Sequence, residues 1–191
     1  MGTTQPIRKQ SELELLKEYF INRNEIRNYA LLVLGLNIPL RISDLLSIHW
    51  NDVYDEKNRR FFSHLQIIEK KTGKRNYLVL NSSTLQALQL LQNSLENTLP
   101  EHYIFTANNS RNKPLTRVSA YLIIHNAAES IGLQNIGCHS LRKTFGYHAW
   151  KNGVHLALIM SIYNHSSIAI TKRYLGIEQE DKDNVFLTMN L

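Results

Sequence analysis

The chain has 191 residues, of which 43% are hydrophobic and 20% charged, a composition typical of a soluble globular protein with one compact domain. Its apolar runs, such as residues 29–36, are far shorter than the roughly 20 residues that span a bilayer, its first residues lack the pattern of a secretory signal, and its single cysteine excludes an intrachain disulfide. We therefore expect a cytoplasmic protein without a membrane span, and the net charge of +6 favours a polyanionic partner.

The first 60 residues predict three helices. Apolar residues recur at helical spacing after Ser11, which we take as the N-cap of a first helix beginning near residue 11. Residues 26–37 predict a mostly buried second helix, which ends before Pro39. The helical pattern then restarts, so Arg41 is expected at a helix start, beside a turn.

The middle of the chain predicts a β-hairpin. Two β-rich runs, residues 61–68 and 76–80, lie on either side of a segment that contains Gly73 and several lysines. This pattern indicates an antiparallel pair of strands with a basic tip.

The second half of the chain predicts five more helices and carries most of the positive charge. The helices are expected at about residues 82–97, 116–131, 139–152, 154–163 and 166–174. Between His102 and Ile177, eight lysines and arginines face a single acidic residue, Glu129, so this stretch has a net charge of +7 and the remainder −1. An ordinary solvated surface is the simpler interpretation of one basic cluster, but so long an asymmetry favours DNA or RNA as the partner.

Several side chains with the chemistry of a phosphodiester site are spread along these elements. Each has an ordinary explanation by itself, such as a solvated surface, a helix cap or core packing. Arg142 follows His139 by three residues, so both project from one helix face. The set consists of Arg41, Lys71, His139, Arg142, His165 and Tyr174.

The chemistry of this set favours attack by a tyrosine on phosphorus. The two guanidiniums can donate hydrogen bonds to the non-bridging oxygens of a phosphodiester, where negative charge builds up in the transition state. A phenol has a pKa of about 10, so Tyr174 needs positive surroundings or a base such as His139. Lys71 would donate a proton to the leaving oxygen. No metal-site spacing and no nucleotide-binding motif is present in the sequence, so we expect neither a metal nor a cofactor.

The chain resembles the tyrosine recombinases, also called the phage integrase family, over about residues 10–176. The resemblance rests on four segments in the family's order: "PLRISDLLSIHWNDV", "EKKTGKRNYLVL", "CHSLRKTFGYHAWKNG" and "NHSSIAITKRYLG". It implies a mainly helical α+β catalytic fold with a small three-stranded antiparallel sheet. It also implies catalytic roles for the six residues above, with Lys71, the lysine before Thr-Gly, preferred over Lys70 and Lys74.

Some positions differ from the family's common pattern. Asp44 stands where glutamate is more frequent, and we expect it to orient Arg41 with a shorter reach. The common "LGHSS" is "YNHSS" here, and "GLR" is "PLR". The segments "RKTFGYH" and "NHSS" are more similar to the short bacterial integrase-like members. Only about ten residues precede the first helix, so we expect a catalytic domain that lacks the N-terminal core-binding domain of typical relatives. We assign residues 1–191 to a single catalytic domain.

The resemblance implies cleavage and rejoining of double-stranded DNA through a 3′-phosphotyrosyl link, without ATP. It further implies a homotetramer on DNA from a protein that can be monomeric when free, with the apolar tail in residues 177–191 as a possible contact between protomers. An accessory DNA-binding protein is a further possible partner. Two other functions stay open: a DNA-binding regulator with the recombinase fold, and a type IB topoisomerase-like enzyme. Additional DNA contacts are expected from Lys70, Lys74, Arg75, Arg111, Lys113, Arg117, Lys143, Lys172 and Arg173.

Overall fold

The computed structural model describes residues 4–107, 110–177 and 179–189. Helices dominate this part of the chain, as the sequence predicted. They are α1 (Gln10–Asn22), α2 (Ile26–Asn37), α3 (Ile42–Leu45), a 3₁₀ turn (Trp50–Asp52), α4 (Ser82–Asn93), α5 (Arg117–Ser130), α6 (Cys138–Lys151), α7 (Leu156–Tyr163), α8 (Ile168–Leu175) and α9 (Gln179–Thr188). No helix in the described ranges has both the length and the apolar character needed to cross a membrane.

The predicted helices are found within a few residues of their expected bounds, with two differences. The N-cap of α1 is Lys9 and not Ser11, which lies inside the first turn. Helix α9 was not predicted, because residues 179–188 have no regular apolar spacing. True side-chain caps occur elsewhere: Asn81, Thr116 and Ser167 each accept a backbone N–H in the first turn of α4, α5 and α8.

In the described ranges, three separate two-stranded antiparallel sheets stand in place of the single three-stranded sheet expected from the resemblance. They pair β1 (Tyr54–Asp55) with β2 (Arg60–Phe61), β3 (His64–Ile68) with β4 (Arg75–Val79), and β5 (Thr106–Ala107) with β6 (Ser110–Pro114). The predicted basic hairpin is β3–β4, in which His64 lies opposite Val79 and Ile68 opposite Arg75. Residues 69–74 therefore form its tip.

Helix α2 is the centre of the hydrophobic core. All seven residues from Ala30 to Leu36 are buried, and the helix packs against α1, α4 and α6. Helix α6 approaches α2 so closely that a Cβ atom on Gly35 would lie 2.6 Å from Cδ1 of Leu141. This contact fixes α6, which carries His139 and Arg142, relative to the short helix α3 that follows Arg41.

A smaller cluster holds α7 and α8 against α6. Ile159, Tyr163 and Leu175 form its centre, and all three are fully buried. The loop with His165 and the helix with Tyr174 are therefore placed against the same face of α6 as Arg142.

Candidate active site

One open cavity of about 580 Å³ brings together all six predicted catalytic residues. The start of α3, the β3–β4 tip, the start of α5, the first turns of α6, the α7–α8 loop and α8 each contribute to its wall. Its polar and ionisable lining residues are Arg41, Ser43, Lys70, Lys71, Arg117, Cys138, His139, Arg142, His165 and Tyr174. A larger cavity, of about 1130 Å³, lies around the start of α2 and the end of α4 and is lined by none of the predicted catalytic residues.

Arg142 is the most buried cation of this site, at 6% exposure. Tyr163 makes two contacts with its side chain. The guanidinium lies 4.8 Å from the centre of the Tyr163 ring, and Nη2 donates to the Tyr163 carbonyl at 3.3 Å. The Tyr163 hydroxyl in turn donates to the Arg142 carbonyl at 2.6 Å. Among the described residues, Nη1 of Arg142 is buried without a hydrogen-bond partner. A buried guanidinium N–H without an acceptor is costly unless a ligand supplies one.

Arg41 is held by a residue that the sequence did not single out. Its Nη1 donates to Oε2 of Glu69, a glutamate that is 1% exposed. Asp44, which the sequence predicted to orient Arg41, bonds to the hairpin here: its Oδ1 accepts the backbone N–H of Lys70 at 3.1 Å. The other carboxylate oxygen of Asp44 is buried without a partner in the described part of the chain.

The β3–β4 tip places two lysines at the cavity. Lys70 and Lys71 both line it and both are exposed, so geometry alone does not rank them. Lys74 reaches across the site, and its Nζ donates to Oδ1 of Asn164 at 3.0 Å, next to His165. The hairpin tip thus contacts the α7–α8 loop as well as α3.

The two histidines are held differently. His139 lies in the first turn of α6 and is exposed; partial desolvation, and then the charges of Arg142, Lys143 and Arg41, lower its pKa. His165 is half-buried, and burial followed by Arg142 and Arg41 lowers its pKa. Its Nδ1 lies 3.1 Å from the Thr171 hydroxyl, which itself donates to the Ser167 carbonyl. That pattern assigns the proton to Nδ1 and leaves Nε2 as the ring nitrogen for a ligand.

Tyr174 is half-buried among aromatic rings and cations. Its ring packs edge-on against His165 and Tyr163, with centroids 5.1 and 5.5 Å away, and Nζ of Lys143 lies 5.5 Å from its centre. Burial raises the pKa of Tyr174, and Arg142 and Arg41 oppose this shift only in part. The arginines therefore do not offset the effect of burial on this phenol, and its use as a nucleophile would require a base.

The structure explains one departure from the family's common pattern. In "YNHSS", Asn164 has φ 55° and ends α7 in the left-handed conformation. Glycine adopts this conformation most readily and asparagine is among the few other residues that tolerate it. The tyrosine of the same segment is Tyr163, which supports Arg142. Both residues thus have structural reasons to stand where they do.

The predicted additional DNA contacts are placed unequally. Lys113, Arg117, Lys172, Arg173 and the hairpin residues Lys70, Lys74 and Arg75 are all exposed. Lys143 is half-buried, and its Nζ donates to the carbonyl of Thr4 at 2.6 Å, so it serves an internal contact. The side chain of Arg111 lies outside the described part. In the described ranges, no three His, Cys, Asp or Glu side chains gather as metal ligands would.

A mainly helical fold that gathers two arginines, two histidines, hairpin lysines and a tyrosine around one cavity defines a tyrosine-recombinase catalytic domain. The chain belongs to the phage integrase family, which it matches over residues 7–180. It is 39% identical over 181 residues to a probable integrase/recombinase of Bacillus subtilis, YoeC, covering 94% of this chain and 93% of that protein.

Solved structures share the fold at lower identity. The crystal structure of XerA recombinase superposes with a TM-score of 0.74 at 20% identity, covering 100% of this chain and 66% of that one. The Tn1549 transposon integrase, in complex with a circular intermediate DNA, gives a TM-score of 0.70 at 20% identity over 91% of this chain. The chain spans 62% of the transposon integrase. At 20% identity, both comparisons show that the fold is shared.

Proposed function

We propose that this protein cleaves and rejoins double-stranded DNA at specific sites, through a covalent link between Tyr174 and a 3′-phosphate. The observation that carries the proposal is the buried, unpartnered Nη1 of Arg142 in a cavity that Tyr174 also lines. A phosphodiester supplies the missing acceptor, and its phosphorus lies within reach of the nucleophile. The family, the likeness to a protein named a probable integrase/recombinase and the fold shared with a DNA-bound integrase support the same function.

The proposed reaction exchanges one phosphoester for another. The Tyr174 oxygen forms a bond to phosphorus while the bond from phosphorus to the 5′-oxygen breaks. The phenolic proton passes to His139, and Lys71 gives a proton to the departing 5′-oxygen. Arg41, Arg142 and His165 stabilise the charge on the non-bridging oxygens. The products are a 3′-phosphotyrosyl link and a 5′-hydroxyl, and attack by a 5′-hydroxyl of another strand reverses each step.

The test uses duplex DNA that contains the target site with a nick beside it. Cleavage releases a short 5′-hydroxyl fragment, so the covalent protein–DNA adduct accumulates and is seen as a band that survives denaturing electrophoresis. We expect the adduct with the natural protein and none with Tyr174→Phe. No adduct on any substrate would favour the DNA-binding regulator, and relaxation of arbitrary plasmids would favour the topoisomerase-like enzyme.

We also propose that several copies of the chain assemble on DNA, as a homotetramer, through the end of α9. Val185, Phe186 and Leu187 are 55%, 80% and 80% exposed, which makes this end an uncovered apolar patch. Exposed apolar patches of this kind often mark a surface that contacts another protein. A second copy of this chain is the partner that strand exchange requires, because two sites must be brought together.

A further inference from the structure

Glu69 is a buried carboxylate that contacts both Arg41 and the tip of the β3–β4 hairpin. At 1% exposure it accepts three side-chain hydrogen bonds: one from Arg41, one from the Thr72 hydroxyl at 2.8 Å and one from Nδ2 of Asn76 at 2.9 Å. Burial by itself would raise the pKa of Glu69, but the donors Thr72, Arg41 and Asn76 outweigh it and lower that pKa. Glu69 is therefore ionised at neutral pH and shares its charge with the Arg41 guanidinium.

The backbone of the same residue closes the hairpin tip. The N–H of Gly73 donates to the Glu69 carbonyl at 2.8 Å, and the N–H of Glu69 donates to the Lys74 carbonyl at 2.9 Å. The turn between these bonds holds Lys70 and Lys71. One residue thus orders the lysine-bearing turn with its backbone and holds Arg41 with its side chain.

We propose that Glu69 is a positioning residue, which fixes the Arg41 guanidinium and the lysine-bearing tip of β3–β4 in one arrangement around the scissile phosphate. The inference rests on the proposed function. Arg41 keeps 27% of its side chain exposed and lies at a helix start, so it is not held by packing alone. A guanidinium has five N–H donors, so a bond to Glu69 through Nη1 leaves others for a phosphate.

Asp44 provides a second tie between the same two elements. Its bond to the Lys70 N–H joins α3 to the residue of the tip that follows Glu69. Two carboxylates in the described residues therefore link α3 to the hairpin, and only Glu69 also contacts a catalytic side chain. Loss of Glu69 should free both Arg41 and the tip, whereas loss of Asp44 should loosen the tip alone.

The test measures the rate of adduct formation on the nicked substrate for Glu69→Ala, Glu69→Gln and Arg41→Ala. We expect Glu69→Ala to slow cleavage by about 10- to 100-fold, the scale of a small misplacement of reacting groups, and Glu69→Gln to lie between it and the natural protein. Glu69→Ala added to Arg41→Ala should cause a smaller further loss than Glu69→Ala causes alone, because only the part that acts through the hairpin tip is left to lose. Asn81→Ala is the matched control, since it removes the α4 cap and lowers stability at a residue that does not line the cavity.

A second substrate separates the two effects of Glu69. Replacing the bridging 5′-oxygen by sulfur gives a leaving group that needs no proton. If Glu69 positions Lys71 as the proton donor, Glu69→Ala should slow cleavage of the sulfur substrate less than it slows cleavage of the oxygen substrate. Arg142→Ala should slow cleavage of both substrates equally. Hydrogen exchange adds a readout without DNA: the amide of Gly73 should lose protection in Glu69→Ala and keep it in Asn81→Ala.

Unchanged cleavage by Glu69→Ala, or losses that multiply fully with Arg41→Ala, would overturn the inference. So would unchanged protection of Gly73 in the free protein, whatever the activity. If the natural protein forms no adduct, the proposed function fails, and the hydrogen-exchange result still decides whether Glu69 orders the tip.

Discussion

The two arginines of the site are prepared for an anion in different ways. Arg41 is paired with Glu69 on one side and partly exposed on the other. Arg142 is almost fully buried, and its stacking on Tyr163 and its bond to the Tyr163 carbonyl leave Nη1 without an acceptor in the described chain. Arg142 is thus costly to the free protein and is expected to gain most when a phosphate binds.

Because the unpartnered Arg142 guanidinium destabilises the free protein, we predict that Arg142→Met abolishes activity without lowering stability. Replacing a buried, incompletely paired cation by an apolar side chain of similar length is often neutral or stabilising. We expect the free energy of unfolding, measured with urea, to stay the same or rise by about 1 to 2 kcal/mol, while the Tyr174 adduct disappears. Arg117→Met, at an exposed position of the same cavity, is the control and should leave stability unchanged. A loss above about 2 kcal/mol in Arg142→Met would mean that its contacts with Tyr163 outweigh the unpaired group.

Among single residues, type and spacing were enough to select six side chains that the fold brings to one cavity. All six candidate catalytic residues line one cavity. Glu69 and Tyr163 were missed, and the bond from Asp44 to the hairpin was not foreseen, because these residues make contacts between elements distant in the chain. A glutamate before a run of lysines gives a weak signal of its own, since its partner Arg41 lies 28 positions earlier.

Among the elements, α6 imposes the tightest packing near the site. Arg142 lies one turn before Gly146, where α6 meets the α7–α8 pair. A Cβ atom on Gly146 would lie 2.5 Å from the Tyr163 hydroxyl and 2.4 Å from Cδ2 of Leu175. Tyr163 supports Arg142, and Leu175 follows Tyr174, the proposed nucleophile. A side chain at this position would therefore push α6, which carries Arg142, away from α8, which carries Tyr174.

We predict that Gly146→Ala destabilises the protein and slows cleavage. Helix propensity alone would make alanine more favourable than glycine by about 1 kcal/mol. The contacts above predict the opposite, a loss of about 1 to 3 kcal/mol from overpacking, together with slower adduct formation as α8 is displaced. Thermal unfolding and the adduct assay measure the two effects. A rise in stability would show that the α6–α8 contact adapts to the methyl group.

Helices were easier to predict from sequence than sheets. Apolar spacing and breaking residues located α2 and α4–α8 to within a few residues. The short pairs β1–β2 and β5–β6 have two to five residues a strand, too few for a period-two pattern, and whether they join β3–β4 in one sheet depends on tertiary contacts. The capping residue of α1 was mistaken because Ser11, a residue type common at N-caps, lies within the first turn, whereas Lys9 occupies the cap position without a side-chain cap bond.

The last helix, α9, is attached to the rest of the chain at its N-terminal end. Asp181, at the start of α9, is 4% exposed; it accepts a hydrogen bond from the Tyr147 hydroxyl at 2.9 Å and pairs with Arg8 at 3.2 Å. Arg8 also donates to the carbonyl of Gly176, two residues after Tyr174, at 2.5 Å. The other end of α9 is the exposed apolar patch at residues 185–187. A segment anchored at its base and apolar at its end suits a contact with another copy.

The whole-molecule prediction concerns assembly on DNA. Replacing Val185, Phe186 and Leu187 together by serine should leave folding unchanged, because exposed substitutions shift stability by no more than about 0.5 kcal/mol. It should also leave the anchor at Asp181 intact, and binding of a single protomer to one half-site should persist. Complexes of several protomers on DNA with two sites should be lost, since their apolar contact is removed. Light scattering of the DNA-bound protein measures the number of protomers, with Leu15→Ser, a 50% exposed position on α1, as the control. If the triple variant assembles on two sites as the natural protein does, α9 is not the contact between protomers.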